Sequence, residues 1–417
     1  MRGVFVIMDG IGDLPCKALS NKTPLEAAST PYLDQLASGS EIGAHIPINE
    51  KFAPESHHAI VALFGEDYRK ISRGIIEALG AGVSIKRGDL VLRANFATIT
   101  DLDEKDIVDR RVNRSLTTKE AKLLAKSLNS QVKLTCDFEF IPTIQHRGLI
   151  VFRGAFSDNI SDTDPAYPRN NKSADYERLR LSEPLDDDEN SALSAHLVNS
   201  FTRQSFEILN KHPINNYRRK NGLLPANVIL TRGAGSNLPD IRKWSNWGIV
   251  AYMPLEIGIG KIFGMKIYSF EYPDSKTPNA YDTLLKTLKK ASKFAAKSVR
   301  KRRRDNDYLL VHFKETDIPG HDGNPQRKKE MMEIIDKYFF SYLTKLLKKE
   351  RFKILVTGDH ATPSEMKNHS ADAVPFLFFD PKNTKNSLSE MRFCERDAAK
   401  GRKLYGKNLL KETLLKD

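Results

Sequence analysis

The chain has 417 residues and a formal net charge of +13, because 66 Lys and Arg outnumber 53 Asp and Glu. Its hydrophobic fraction of 40% allows a sizeable core, which excludes disorder of the chain as a whole. No run approaches the roughly 20 apolar residues that a membrane-spanning helix needs, and the apolar start is too short for a signal peptide. The three cysteines form no CxxC pair, so neither a disulfide framework nor a zinc pattern is predicted. We therefore expect a cytoplasmic protein of roughly two or three domains.

Strand-like and helix-like patterns alternate along much of the chain. The apolar runs typical of strands buried on both faces are residues 4–8, 226–230, 307–313 and 352–357. Between the last three of these runs, residues 281–296 and 326–348 have the apolar spacing of helices. Strands that alternate with helices indicate a mainly parallel α/β sheet flanked by helices.

The middle of the chain has a different pattern, with short β-type runs and long polar loops, the longest over residues 159–190. We interpret residues 84–222 as an inserted α+β domain that serves as a substrate-binding cap. The core domain is then discontinuous and consists of residues 1–83 and 223–417.

Acidic residues and histidines follow three of the predicted strands. Ligands bind outside the carboxyl ends of parallel strands, so these side chains are expected to meet at one edge of the sheet. Carboxylate and imidazole groups suit Mn²⁺, Zn²⁺ or Mg²⁺. A lone Asp at a strand end is more often a turn former, so the prediction of two metals depends on the whole set. In chain order the set is Asp9, Asp317, His321, Asp359, His360 and His369.

Ser56 is the best candidate for a nucleophile. It precedes a predicted helix over 59–63, and the N–H groups at a helix N-terminus can hold a phosphate. Two neighbouring metals can polarise a phosphoryl group and hold an alkoxide. In the alternative interpretation, Ser56 only caps the helix.

Short segments spread over nearly the whole chain match the pattern of one family. They are residues 6–13 (VIMDGIGD), 23–28, 73–80, 93–98, 109–114, 160–165, 230–235, 316–323 (TDIPGHDG), 356–363 (VTGDHATP) and 369–375. Through them the chain resembles the archaeal-type, cofactor-independent phosphoglycerate mutases of the alkaline phosphatase superfamily. The resemblance implies an alkaline-phosphatase-like core with an inserted cap domain.

The resemblance also implies an activity, the interconversion of 3-phosphoglycerate and 2-phosphoglycerate in glycolysis and gluconeogenesis. It implies a phosphoserine intermediate at Ser56 and two divalent metals, Mn²⁺ first and Mg²⁺, Zn²⁺ or Co²⁺ otherwise, without 2,3-bisphosphoglycerate. One metal would take Asp317, His321 and His369, and the other Asp9, Ser56, Asp359 and His360.

Substrate contacts are expected to be cationic, because a guanidinium binds carboxylate and phosphate oxygens with two parallel hydrogen bonds. Two acids are expected to hold those arginines or a glycerate hydroxyl. The candidates are Arg93, Arg110, Arg111, Arg114, Arg153, Arg219, Arg232 and Lys261, with Asp162 and Asp164.

The nucleophile segment departs from the family pattern, which has Gly before the serine where this chain has Glu55. A carboxylate beside a serine that carries a phosphoryl dianion costs on the order of 1 kcal/mol at surface-like screening. We therefore expect Glu55→Gly to raise turnover.

Two other functions stay open from the sequence. One is a metal-dependent phosphatase or another phosphomutase of the same superfamily. The other is a weakly active paralogue that binds a phosphorylated metabolite. The basic run 300–304 is interpreted as a solvated helix face, so nucleic acid is not the expected partner, and a homo-oligomer stays open.

Overall fold

The structure is a computed structural model that describes residues 1–165, 178–273, 280–382 and 391–416. Part of the predicted loop 159–190, residues 166–177, lies outside the described residues. The chain divides into two units. Unit 1 comprises Met1–Arg69, Ile241–Glu271 and Leu284–Asp417, and unit 2 comprises Lys70–Asp240 and Tyr272–Thr283.

Strands and helices alternate along the described chain. The strands are β1 (Gly3–Met8), β2 (Glu41–Ile46), β3 (Leu90–Ile99), β4 (Ile107–Asp109), β5 (Phe138–Pro142), β6 (Arg147–Phe152), β7 (Val228–Gly235), β8 (Trp247–Val250), β9 (Lys266–Tyr268), β10 (Tyr308–Phe313), β11 (Lys353–Thr357), β12 (Val374–Phe379) and β13 (Arg402–Tyr405). The helices are α1 (Pro24–Ala27), α2 (Pro31–Ala37), α3 (Ser56–Leu63), α4 (Arg73–Ala81), α5 (Thr118–Gln131), α6 (Glu189–Asn210), α7 (Pro213–Lys220), α8 (Pro254–Ile262), α9 (Ala280–Arg302), α10 (Asp317–His321), α11 (Pro325–Ile335), α12 (Ser341–Leu347), α13 (Glu395–Ala398) and α14 (Gly406–Glu412).

Unit 1 contains an eight-stranded sheet with the order β13-β2-β12-β11-β1-β10-β8-β9. Every neighbouring pair is parallel except those that β12 makes with β11 and β2. All residues of β1 and β10 are buried, which explains why these strands are apolar throughout rather than alternating. The expectation of a mainly parallel sheet flanked by helices is confirmed.

Unit 2 is an α+β unit whose five strands pair only in the antiparallel sense. The long strand β3 pairs with β4, β6 and β7 and is buried along its whole length. Helices α5 and α6 contribute buried Leu and Phe side chains to the core of this unit, including Leu124 and Phe201.

The predicted strand 226–230 forms, but in a different sheet from the one expected. It begins β7, which pairs with β3 in unit 2 and not with the parallel sheet. Residues 70–83 and 223–240 lie in unit 2, so the bounds of the two units differ from the predicted domain boundaries at 84 and 222. An apolar run specifies a buried strand but not its pairing partner, which depends on contacts distant in sequence.

None of the described helices is both long enough and apolar enough to span a membrane.

Candidate metal centre and active site

The three strands expected to carry metal ligands are neighbours at the centre of the unit 1 sheet. Strand β1 lies between β10 and β11, with Met8 opposite Phe313 and Ile7 opposite Thr357. All three strands therefore end at the same level, and the residues that follow them meet at one edge of the sheet. This register is what brings Asp9, Asp317 and Asp359 together.

Asp317, His321 and His369 form the first cluster. The Nε2 atom of His321 lies 3.3 Å from an oxygen of Asp317 and 3.1 Å from Nε2 of His369. The Nδ1 atom of His369 lies 2.8 Å from the carbonyl oxygen of Pro54, and that of His321 lies 3.2 Å from the carbonyl of Lys367. A carbonyl only accepts, so each Nδ1 carries the proton and each Nε2 presents a lone pair. Two ring nitrogens that face each other beside a carboxylate favour a cation between them, and this donor set fits a divalent metal.

Asp9, Ser56, Asp359 and His360 form the second cluster. The Oγ atom of Ser56 lies 3.4 Å from both carboxylate oxygens of Asp9 and 3.3 Å from Nε2 of His360. That same Nε2 lies 3.3 Å from Asp9 and 3.5 Å from Asp359. All four side chains are buried. Ligand atoms of Asp9, Asp359 and His360 lie within 4.8 Å of one another, close enough to hold one metal ion.

Thr362 links the two clusters through a hydrogen-bond chain. Its hydroxyl lies 2.7 Å from an oxygen of Asp317 and 3.1 Å from Nδ1 of His360. The single hydroxyl proton goes to the carboxylate, so Nδ1 of His360 donates to Thr362 and its Nε2 faces the second cluster. The same side chain thus orients one ligand of each cluster.

The pKa values show that this edge of the sheet is short of positive charge. Burial raises the pKa of Asp359 to about 6, and the negative charge of Asp9 adds to the increase. Burial lowers the pKa of His360, but the charge on Asp359 and the contact with Asp9 outweigh it and raise the pKa to about 9. Buried carboxylates that keep a neighbouring histidine protonated provide the negative charge that a bound cation would balance.

Ser56 is the first residue of α3, and Glu55 occupies the N-cap position. The backbone N–H of Glu55 donates to Nδ1 of His58 at 3.4 Å, as part of a reciprocal capping pair. The alternative interpretation of Ser56 as the helix cap is therefore wrong. Its hydroxyl is held among the ligands of the second cluster.

Buried arginines gather around a single acid in unit 2. Arg93 donates to Glu77 at 2.5 Å, and Arg73 donates to the same carboxylate at 2.8 Å. Arg232 lies directly opposite Arg93 across the β3–β7 pair. Burial lowers the pKa of Arg93, the charge of Glu77 raises it, and the charges of Arg73, Arg147 and Arg232 lower it again, which leaves the pKa at about 9. This surplus of buried positive charge suits an anionic ligand.

Arg111, Arg114 and Arg147 extend the arginine cluster. Burial lowers the pKa of Arg147 to about 10, with Arg111 and Arg114 also lowering it. The backbone of Val112, Asn113 and Arg114 has positive φ angles of 52°, 49° and 51°. Three consecutive left-handed residues, one of them β-branched, are strained, and such strain concentrates at functional sites.

The other predicted substrate residues have local partners. Arg110 donates to the two oxygens of Asp164 at 2.9 and 2.8 Å, and Asp162 accepts the N–H of Gly233 at 2.8 Å. The remaining three lie in other surroundings. Arg153 donates to Asp89 at 2.7 Å, exposed Arg219 donates to Asn210 at 2.8 Å, and exposed Lys261 lies on α8 in unit 1.

Known proteins match the chain over almost its entire length. A family model described as 2,3-bisphosphoglycerate-independent phosphoglycerate mutase matches residues 37–215. A relative of that name from Thermococcus kodakarensis is 36% identical over 386 residues, which covers 90% of this chain and 87% of the relative. Another from Aeropyrum pernix is 36% identical and covers 96% of this chain and 95% of the relative. The chain belongs to this family of isomerases.

Solved structures agree with the family. A protein from Pyrococcus horikoshii has a TM-score of 0.73 and 27% identity, covering 99% of this chain and 96% of that one. The cofactor-independent phosphoglycerate mutase from Thermoplasma acidophilum has a TM-score of 0.57 and 27% identity, covering 99% of both chains. The resemblance found in the sequence is confirmed.

Lys314 is a residue of this mutase-family site that the sequence analysis missed. Its Nζ contacts the carboxylate of Asp9 and lies 3.2 Å from Oγ of Ser56. Burial lowers the pKa of Lys314, but Asp9 and Glu256 raise it well above its ordinary value, so the ammonium stays charged. The missed signal was its position directly after β10, at the level where β1 delivers Asp9.

Glu256 and His312 were also missed and lie behind this lysine. Buried His312 is 3.8 Å from Asp9 and 3.9 Å from Glu256, and Lys314 is 3.9 Å from Glu256. Asp9, Glu256 and His312 form a further group whose ligand atoms lie within 4.8 Å of one another. The ammonium of Lys314 already supplies a positive charge to these acids. Glu256 is on α8, and nothing in the sequence indicated that this helix faces β10.

Proposed function

We propose that the protein interconverts 3-phosphoglycerate and 2-phosphoglycerate through a phosphoserine at Ser56, with two divalent metals and without 2,3-bisphosphoglycerate. The observation that carries the proposal is the surroundings of the Ser56 hydroxyl. It is buried at the first position of α3, 3.3 Å from a histidine nitrogen and 3.2 Å from an ammonium.

The donor sets support one set of ligands for each metal. Bound divalent ions act as Lewis acids on a phosphoryl group and lower the pKa of a serine hydroxyl, and Mn²⁺ is the expected ion. One site would use Asp317, His321 and His369, and the other Asp9, Ser56, Asp359 and His360.

The side chains around Ser56 supply the electrostatics that the transfer needs. Lys314 keeps its charge and faces Oγ, so it stabilises negative charge on that oxygen and on an attached phosphoryl group. The first N–H groups of α3 point towards the same end of the helix and favour an anion there. Asp9 holds Lys314 in place through their direct ion pair.

We assign to unit 2 the role of keeping glycerate bound between the two phosphoryl transfers. The arginine cluster, with Arg93, Arg111, Arg114, Arg147 and Arg232, offers the guanidinium groups that a carboxylate binds best. Glycerate must stay bound and water must stay out, since otherwise hydrolysis of the phosphoserine makes the enzyme a phosphatase. This activity belongs to glycolysis and gluconeogenesis in the cytoplasm.

The test is to trap the intermediate. The metal-loaded protein is mixed with 3-phosphoglycerate, quenched in acid, digested and analysed by mass spectrometry. We expect phosphate on the peptide that contains Ser56, and none in Ser56→Ala. A phosphate on another residue, or none during measured turnover, would overturn the proposed intermediate.

A further inference from the structure

The positive charge of this protein is concentrated on the surface of two neighbouring helical segments. Between residues 283 and 304, which include most of α9, every exposed residue is a cation. They are Lys286, Lys289, Lys290, Lys293, Lys297, Arg300, Lys301, Arg302 and Arg304. The sequence analysis noticed only the last of these as a basic run.

The second segment, residues 331–351, has the same character. It runs from α11 through α12, and its exposed residues are again cations without exception. They are Lys337, Lys345, Lys348, Lys349 and Arg351. We call the two sets together the basic face. Neutralising its 14 cations would take the formal net charge from +13 to −1.

Contacts at two places hold the two segments side by side. Near one end, Lys289 and Lys293 lie over the ring of Tyr338, at 4.8 and 5.2 Å from its centroid. Near the other end, Nε of Arg303 lies 3.1 Å from a carboxylate oxygen of Glu350. Arg302 also pairs with Asp305 at 3.4 Å. The acids at this end are few beside the cations, so the face keeps a large positive excess.

We propose that the basic face binds the phosphate backbone of nucleic acid without reading its sequence. The segment of α9 from Lys286 to Arg302 is about 24 Å long. A duplex carries about 14 phosphate charges over that length, so its charge density matches that of the face. Arginine and lysine can contact guanine, but recognition of a mixed sequence also uses amide, acidic or apolar side chains, and stacking on bases uses aromatic ones. The exposed residues of these two segments include no amide, acidic, apolar or aromatic side chain.

An anionic membrane fits the face less well. A helix that lies in a membrane interface inserts an apolar side, together with a basic one. The apolar residues of α9, such as Leu288, Ala295 and Val299, are buried in the protein. Electrostatic attraction alone would then bind the protein to a bilayer. The proposal is independent of the mutase reaction, because no residue of the basic face belongs to the metal centre or the arginine cluster.

The experiment compares two variants of equal charge. The test variant replaces six cations of the basic face with Gln: Lys286, Lys297, Lys301, Arg304, Lys345 and Lys348. The control replaces six exposed lysines elsewhere with Gln: Lys17, Lys22, Lys122, Lys126, Lys211 and Lys220. Both changes lower the formal net charge from +13 to +7.

Binding is measured by fluorescence anisotropy on a labelled DNA duplex and a single-stranded RNA of mixed sequence, from about 50 to 200 mM salt. We expect the native chain to bind both with a steep salt dependence. The test variant should bind at least about tenfold more weakly, with a smaller slope of log affinity against log salt, whereas the control should stay close to the native chain. If the sixfold variant does not fold, the test is repeated with two smaller variants. One carries only the substitutions in and next to α9, and the other only those in and next to α12.

Two outcomes would overturn the proposal. Equal weakening in the control would show that binding follows net charge alone. Stronger binding to vesicles of phosphatidylserine and phosphatidylcholine than to either nucleic acid would assign the face to a membrane. Unchanged turnover of 3-phosphoglycerate in the test variant would confirm that the face is separate from the proposed active site.

Discussion

The metal centre of unit 1 and the arginine cluster of unit 2 have opposite imbalances of charge. At the metal centre, buried carboxylates and histidine lone pairs converge with Lys314 as their nearby permanent cation. In the arginine cluster, several guanidinium groups share Glu77. A folded protein tolerates such imbalances where a ligand of opposite charge corrects them. These imbalances support the proposal of metal ions at the first site and of an anion such as phosphoglycerate at the second.

Removing a carboxylate from the metal centre should have the largest effect. Asp9→Asn deletes a ligand and also the partner of Lys314, so we expect turnover to fall by at least about a hundredfold. Metal content, measured by mass spectrometry on the dialysed protein, should fall from two ions per chain to one. The control is Asp372→Asn, an exposed acid close in sequence to His369. Full metal content in Asp9→Asn would contradict the ligand assignment.

Neutralising Lys314 should slow the reaction without emptying the metal sites. Lys314→Met removes the charge beside Oγ of Ser56, which is worth about 10² to 10³ in kcat for a group of this kind. Metal content should stay at two, which separates this lysine from the ligands. Exposed Lys407→Met is the matched control. A change in KM alone would show that Lys314 binds substrate and does not act on the transfer.

A substitution in the arginine cluster should lower the affinity for substrate. Arg111→Met removes a charge-assisted contact worth about 1.5 to 3 kcal/mol, so we expect KM for 3-phosphoglycerate to rise by about 10- to 100-fold. Metal content should not change. Arg219→Met, which alters an exposed arginine bonded to Asn210, should leave KM near its native value. Equal effects in both variants would argue against a specific role for the cluster.

Removing the hydrogen bonds by which Thr362 links the two metal clusters should have a smaller effect. Thr362→Val keeps the shape of the side chain but removes the hydroxyl that bonds Asp317 and His360. We expect metal affinity to fall by about 10-fold, because outer contacts orient the ligands. Titration of the metal-free protein with Mn²⁺, followed by calorimetry, measures it. Unchanged affinity would mean that backbone geometry alone orients the ligands.

Glu55→Gly should have the smallest effect, and it should be a gain. Loss of the carboxylate next to the phosphoserine is worth on the order of 1 kcal/mol, which is roughly a fivefold rise in turnover. Gly is itself a tolerated N-cap, so the cost to α3 should be only a few tenths of a kcal/mol. Turnover that is unchanged or slower would refute the electrostatic cost assigned to Glu55.

The sequence was sufficient to predict that the residues after the central strands lie close together. Asp9, Asp317 and Asp359 each follow a wholly apolar run, and the rule that ligands gather at the carboxyl ends of parallel strands then places them together. The order of β10, β1 and β11 in the sheet makes that inference correct. His321 and His369 could be added because they lie close in sequence to these strand ends.

Residues that reach a site from other elements could not be predicted in the same way. Glu256 lies on α8, and Arg73 and Arg147 come from elements whose neighbours are set by the pairing of β3 with β6 and β7. The same long-range pairing places residues 226–230 in the antiparallel sheet and not in the predicted parallel one. Local pattern specifies an element, whereas the partner of that element is a property of the whole fold.

The most direct test of the account is an enolase-coupled assay on 3-phosphoglycerate with Mn²⁺, with and without EDTA and without added 2,3-bisphosphoglycerate. Free phosphate is measured in parallel, and Ser56→Ala is the control. The account predicts metal-dependent formation of 2-phosphoglycerate, lost in Ser56→Ala, with little free phosphate. Free phosphate without 2-phosphoglycerate would contradict the mutase and identify a phosphatase, and no reaction in either assay would leave a protein that only binds its ligand.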